Sequence, residues 1–161
     1  MCNESGDGLP TLIVCAHGTR DPAGRATIEA VVAAVAARLP AVSVQPAYVD
    51  VHGPDIVEVV DALPPGEGGV VVPLLLAGGY HVHVDIADAV ARRPDVVATP
   101  ALGPDDRLVG IVLDRLAEAG ATPGMPVVLV PAGSSDARAQ ADSAAVAQAL
   151  ARRWGGPVTL G

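Results

Sequence analysis

The stretch Leu12-Ile13-Val14-Cys15-Ala16-His17-Gly18-Thr19-Arg20-Asp21-Pro22 decides the fold. An apolar run stops at a histidine, glycine and small polar residues follow, and Thr27 to Leu39 then carries Ile28, Val31, Val32, Val35 and Leu39 at helical spacing. A buried strand that gives way to an amphipathic helix is the first half of a βαβ unit. In open parallel sheets built from such units, ligands bind in the crevice at the carboxyl ends of the strands. His17 stands there, where an imidazole can hold a metal or move a proton near neutral pH. The same position also suits a polar residue that only braces the turn.

Working outward, Pro40 ends the first helix, and Val42 to Val49 reads as a second strand whose Pro46 marks an edge or a kink. Pro54 and Asp55 open a short helix over Ile56 to Leu63, closed by Pro64-Pro65-Gly66. Val70 to Leu76 is a near-continuous apolar run, as expected of a strand covered on both faces. Gly78-Gly79-Tyr80-His81-Val82-His83-Val84-Asp85 forms a second strand-to-helix junction, with its helix running to about Arg92. Asp95 to Thr99 is a fourth strand and Asp105 to Ala119 a further helix. This alternation predicts an α/β fold: a parallel four-stranded sheet with right-handed crossovers and helices on both faces. A sheet ordered 2-1-3-4 makes strands one and three neighbours, so that His17 and His81 face one crevice.

A repeat follows. Val127-Val128-Leu129-Val130-Pro131-Ala132-Gly133-Ser134-Ser135-Asp136 echoes Leu12 to Asp21 on adding 115 to each number. Gly18 then meets Gly133, Asp21 meets Asp136, Val31 meets Val146 and Arg38 meets Arg153, whereas His17 meets Ala132 and Arg20 meets Ser135. The expected organisation is a lobe over residues 9–120 and the start of a second, similar lobe over 125–161, ending in a strand at Pro157 to Leu160. The loop is repeated and its histidine is not, which favours chemistry over bracing at His17.

Composition limits the partners. Half of the 161 residues are apolar, so the chain has the material for a core. With no Phe, two Tyr and one Trp there are few stacking platforms, and a formal charge of −8 disfavours a phosphate backbone, so no nucleic acid partner is expected. Every basic residue is Arg, a mark of coding bias. No apolar run approaches the ~20 residues that span a bilayer, and the acidic, polar start lacks the order of a secretory signal, so the expectation is a cytoplasmic protein without a membrane partner. Cys2 and Cys15 suggest neither a disulfide framework nor a thiolate metal cluster.

The pair of motifs His17-Gly18-Thr19-Arg20-Asp21-Pro22 and Pro73-Leu74-Leu75-Leu76-Ala77-Gly78-Gly79-Tyr80-His81-Val82-His83-Val84-Asp85-Ile86, in this order and spacing, resembles the signatures of the CbiX and SirB group of sirohydrochlorin chelatases. The resemblance covers roughly Leu9 to Ala119. It implies a class II chelatase, with the α/β lobes shared with ferrochelatase, that inserts Fe2+ on the way to siroheme or Co2+ on the way to cobalamin. The metal is then a substrate, and no permanently bound cofactor is implied. By position His17 and His81 match the family's two active-site histidines, as metal contacts and catalytic groups. Asp50 falls where the family often has an acidic residue. The repeat resembles the long, two-lobed form, whereas the short form is a single lobe that makes homodimers. Because this chain stops early in lobe two, either more sequence follows or a second copy completes the cleft.

Chemically, metal insertion must hold the ion, strip its water and remove two pyrrole protons. Imidazole suits Fe2+ and Co2+ and accepts protons, and two histidines leave coordination positions open for transfer. Arg20, and also Arg25, are candidates to meet the substrate's carboxylates, although Arg25 equally reads as a solvated helix residue. Gly78 and Gly79 let backbone approach a flat tetrapyrrole, or simply make a turn. His83 reads as solvent-facing, as a helix-start residue or as an auxiliary ligand, His52 as a loop residue before a helix, and Asp85 as a cap or a charge at its helix N-terminus. A non-catalytic protein that binds metal or tetrapyrrole, and a phosphate-binding α/β domain using the Gly18 turn, are the rival readings.

Overall fold

The computed structural model describes residues 8–80 and 82–161. The first compact unit comprises the chain up to Leu75 together with Tyr80–Pro100, and the second comprises Leu76–Gly79 together with Ala101–Gly161. This division follows packing, whereas the sequence boundary near Met125 follows the repeat.

In the first unit β1 (Thr11–Ala16), α1 (Pro22–Arg38), β2 (Val44–Tyr48), α2 (Ile56–Ala62), β3 (Gly69–Pro73), a π-helical turn (Val82–Ile86), α3 (Ala87–Ala91) and β4 (Val96–Ala98) alternate along the chain. The sheet has the order β2-β1-β3-β4 and every pairing is parallel, in line with the expected topology. Pro46 sits opposite Val14 on β2, an edge strand, where a missing N–H is tolerated. Ile13 and Cys15, two apart on one face of β1, are fully buried and cluster with Val71 of β3, Ile56 and Val60 of α2, Ile86 and Ala89.

Several boundaries differ from the periodicity, each for a local reason. The first helix starts at Pro22 rather than Thr27, because the Asp21 carboxylate accepts from the N–H groups of Ala23 and Gly24 and Pro22 supplies a preset first position. Its apolar stripe is also narrower: Ile28, Val32 and Val35 are half-buried, whereas Val31 is exposed at the stripe's edge and Leu39 lies beyond the helix end. The third strand ends at Pro73 rather than Leu76, since its partner β1 ends at Ala16; Leu76 is exposed. Asp85 lies in the first turn of the π-helical segment, where it places a negative charge, and α3 begins without a side-chain cap.

The second unit holds α4 (Asp106–Glu118), β5 (Val127–Leu129), α5 (Ala137–Trp154) and β6 (Val158–Leu160). β5 and β6 pair in parallel, Val127 with Val158 and Leu129 with Leu160, as β1 pairs with β2. Leu150 is fully buried, and Trp154 anchors the end of α5 by donating its indole N–H to the Met125 carbonyl at 2.7 Å. Across the repeat the two strands differ in cover: Ile13 and Cys15 are fully buried, whereas their counterparts Val128 and Val130 are 63% and 72% exposed.

Candidate active site

The strand-end loop after β1 is built by three sets of bonds. The ladders continue past the strand ends: Val49 and Asp50 donate their N–H groups to the carbonyls of Ala16 and His17 at 3.1 and 3.0 Å, and Leu74 donates to Cys15 at 2.7 Å. Gly18 has φ +98°, and a Cβ there would run into the Asp50 carbonyl oxygen, so the close approach of the two loops demands glycine. On the helix side the Asp21 N–H donates to the Thr19 hydroxyl at 3.1 Å, and Arg25 Nε donates to the Thr19 carbonyl at 2.8 Å. His17 thus projects from a backbone tied to β2, β3 and α1.

The His17 ring is exposed, with Nδ1 3.4 Å from the Gly18 carbonyl oxygen. Arg20 is exposed beside it in sequence, while Arg25 turns out to brace the loop through Thr19. One Asp50 carboxylate oxygen accepts from the Val51 N–H at 2.6 Å, and Val51 takes the left-handed φ of 73°, rare for a branched side chain. His52 is more than a passing loop residue. Its ring packs on Tyr48 with centroids 4.1 Å apart, its Nδ1 is 3.0 Å from the Gly53 carbonyl oxygen, and its buried Nε2 has no hydrogen-bond partner among the described residues. His83 is exposed on the π-helical turn. His81 lies outside the described residues; the neighbouring of β1 and β3 that its pairing with His17 requires is present.

Burial, with the charges of Asp55 and Asp85, pushes the Cys15 thiol up to about 12, so it stays protonated at neutral pH and supplies no thiolate. Among the described residues no three His, Cys, Asp or Glu side chains gather into a metal cage.

The repeated loop keeps three of the first loop's bonds on the helix side. Gly133 has φ +88°, Asp136 caps α5 by accepting from the Arg138 N–H, the Asp136 N–H donates to the Ser134 hydroxyl at 3.1 Å, and Gln140, at the place of Arg25, donates to the Ser134 carbonyl at 2.9 Å. Ala132 holds the place of His17. These turn bonds therefore form with an alanine at the equivalent place.

Gly78 and Gly79 belong to the second unit. The Gly78 N–H donates to Asp142 of α5 at 2.8 Å, and a Cβ built on Gly79 would lie 3.7 Å from both the Ala139 Cβ and the Ser134 hydroxyl oxygen. Sequence reading missed Asp142 entirely, since its partner lies 64 residues away and no local pattern announces the pair.

The first unit is a parallel α/β lobe, of the kind in which ligands bind in the crevice at the carboxyl ends of the strands. The CbiX family model matches residues 11–119, and the chain belongs to the CbiX family. SirB from Bacillus subtilis, solved with Fe3+, has a similar structure, with a TM-score of 0.80 and 22% identity over 94% of this chain and 64% of SirB. A CbiX described as the terminal enzyme for biosynthesis of siroheme in denitrifying bacteria matches with a TM-score of 0.71 and 25% identity, over 94% of this chain and 68% of that one. A CbiX protein from Marinobacter aquaeolei VT8 aligns over 69% of this chain and 97% of its own, at a TM-score of 0.54 and 22% identity. The chain thus spans about two thirds of the length of SirB and of the siroheme-pathway CbiX. No curated protein matches it. No helix among the described residues is long and apolar enough to cross a membrane.

Proposed function

We propose that this chain inserts a divalent metal into a tetrapyrrole of the sirohydrochlorin type, with Fe2+ or Co2+ as the metal substrate and no resident cofactor. The observation that carries the reading is His17, an imidazole fixed at the carboxyl end of a central parallel strand in a CbiX-family chain, in a loop whose scaffold the repeat keeps without it. The Fe3+ bound to SirB and the siroheme role of the similar CbiX support iron, hence siroheme, over cobalt and cobalamin.

In this reading neutral imidazoles do two jobs. His17, with His81 supplied by the second motif, takes the ion from solvent while leaving coordination positions free. As the ion enters, the two pyrrole N–H protons must leave, and an imidazole is a suitable acceptor near neutral pH. Arg20, exposed in the same loop, is the candidate partner for a peripheral carboxylate, and Gly78 and Gly79 offer a surface without side chains to the macrocycle. The compartment is the cytoplasm, and a second copy of the chain is the candidate to complete the cleft, a point read directly from the mass by light scattering.

The test follows the absorbance of sirohydrochlorin mixed with Fe2+ or Co2+ and purified protein. Loss of a group that holds metal and accepts protons costs on the order of 100-fold or more, so His17→Ala and His81→Ala should each fall by at least that factor. Tetrapyrrole binding with no rate above the spontaneous one would make the chain a non-catalytic binder of metal or tetrapyrrole.

A further inference from the structure

The segment between β3 and the π-helical turn leaves the sheet at Pro73, and its residues Leu76–Gly79 pack with α5 and with the loop before α4. Three contacts grip it. The part-buried carboxylate of Asp142, on the second turn of α5, accepts the Gly78 N–H at 2.8 Å. Gly103 lies so close under the Leu76 carbonyl oxygen that a Cβ there would collide with it. Ala139, itself buried, and the Ser134 hydroxyl line the space beside Gly79. Beyond Gly79 the chain runs directly into the second histidine motif.

From this geometry we infer that Asp142 is a positioning residue: it holds the Gly78 backbone and thereby sets where the His81 motif begins. The charge of the carboxylate strengthens its bond to an amide N–H, and a loop of two glycines has the most backbone freedom to lose, so the bond matters most at this place. It also means that the Gly78 N–H is already spent. Gly78 then serves a tetrapyrrole by its bare, fixed backbone rather than as a donor to a substrate carboxylate. Across the repeat Asp142 takes the place of Thr27, whose hydroxyl only donates back to the Ala23 carbonyl of its own helix. The second copy has thus lost the histidine and carries a carboxylate that grips the loop leading to the other one.

The inference rests on the chelatase reading for its effect on turnover but not for the contact itself, and the experiment separates the two. Asp142→Ala, Asp142→Asn and Gly103→Ala are compared with the wild-type chain for Fe2+ and Co2+ insertion into sirohydrochlorin, for thermal unfolding and for hydrogen exchange at the Gly78 amide. Asp142→Ala should keep its melting temperature near that of the wild type, speed Gly78 exchange and lower kcat/KM by about tenfold, the usual worth of one charge-assisted hydrogen bond. Asp142→Asn retains an acceptor oxygen and should recover turnover to within about twofold. Gly103→Ala pushes the same loop from the opposite contact and should lower turnover as well. Unchanged Gly78 exchange in Asp142→Ala, or unchanged turnover in a variant whose exchange has risen, overturns the inference. If the wild-type chain inserts neither metal, the chelatase reading falls, while exchange at Gly78 still decides whether Asp142 holds the loop.

Discussion

Gly18 and Gly133 form an internal control for what the His17 loop demands. Both have positive φ, +98° and +88°, in loops that share the bond from the capping aspartate N–H to a hydroxyl. An alanine at Gly133 meets open space, so it pays only for the backbone conformation, about 1–2 kcal/mol, offset in part by the smaller entropy of its unfolded chain. The net cost is about 1 kcal/mol. An alanine at Gly18 pays this and also strikes the Asp50 carbonyl, so the loops must part. Parting them loosens the bonds from Val49 to Ala16 and from Asp50 to His17, each worth about 1 kcal/mol, for a total of about 3 kcal/mol. At roughly 2–4 °C per kcal/mol for a chain of this size, Gly133→Ala should lower the melting temperature by about 2–4 °C and Gly18→Ala by about 6–12 °C. Amide exchange at Val49 and Asp50 should quicken only in Gly18→Ala, and metal insertion should fail in that variant ahead of its melting. Equal melting shifts in the two variants would refute the argument, because the clash with Asp50 is the difference between them.

Two further predictions concern the sheet. Ile13→Ala empties a fully buried site and should cost about 2–5 kcal/mol, whereas Val128→Ala, at the repeat's equivalent but exposed place, should stay within about 0.5 kcal/mol; a costly Val128→Ala would mean that the β5 face is covered in solution. With Cys2 replaced by serine, native Cys15 should react with iodoacetamide at pH 8 about a thousandfold more slowly than the unfolded chain, since a thiol raised from 9.0 to about 12 holds that much less thiolate. The sign for stability follows: the folded state binds the proton more tightly, so this contribution is intact below pH 9.0 and is lost as the pH climbs toward 12. Cys15→Ala should remove that alkaline loss, and a native labelling rate matching the unfolded one would contradict the burial.

What was legible in the sequence was whatever short range determines. Alternating strand and helix periods, Pro46 on an edge, Asp55 as the cap of α2 and the strand-end place of His17 all depend on neighbours within a few residues. The topology followed because crossovers have one hand. Illegible were features set by tertiary contact. The length of β3 is limited by where β1 ends, Arg25 is diverted to the Thr19 carbonyl, and the Asp142 bond spans 64 residues. Asp21 is the instructive intermediate case, a capping residue with proline after it that announces a helix start five residues before any apolar periodicity does.

The repeat sharpens the functional argument because it separates scaffold from chemistry within one chain. Gly18 and Gly133 share a positive φ, Thr19 and Ser134 and Arg25 and Gln140 make equivalent bonds, and Asp21 and Asp136 both cap the helix that follows. A residue needed to form the loop should then appear in both copies, and each of these does in kind. His17 and Arg20 do not: Ala132 and Ser135 stand in their places, and the bonds of Ser134, Asp136 and Gln140 form there all the same. Folding of the loop accounts for the shared set, and the proposed function gives the imidazole and the guanidinium a task. The same comparison applied to the helices isolates Asp142, which has no counterpart in kind at Thr27: the threonine hydroxyl donates within its own helix, whereas the carboxylate accepts the Gly78 N–H 64 residues away.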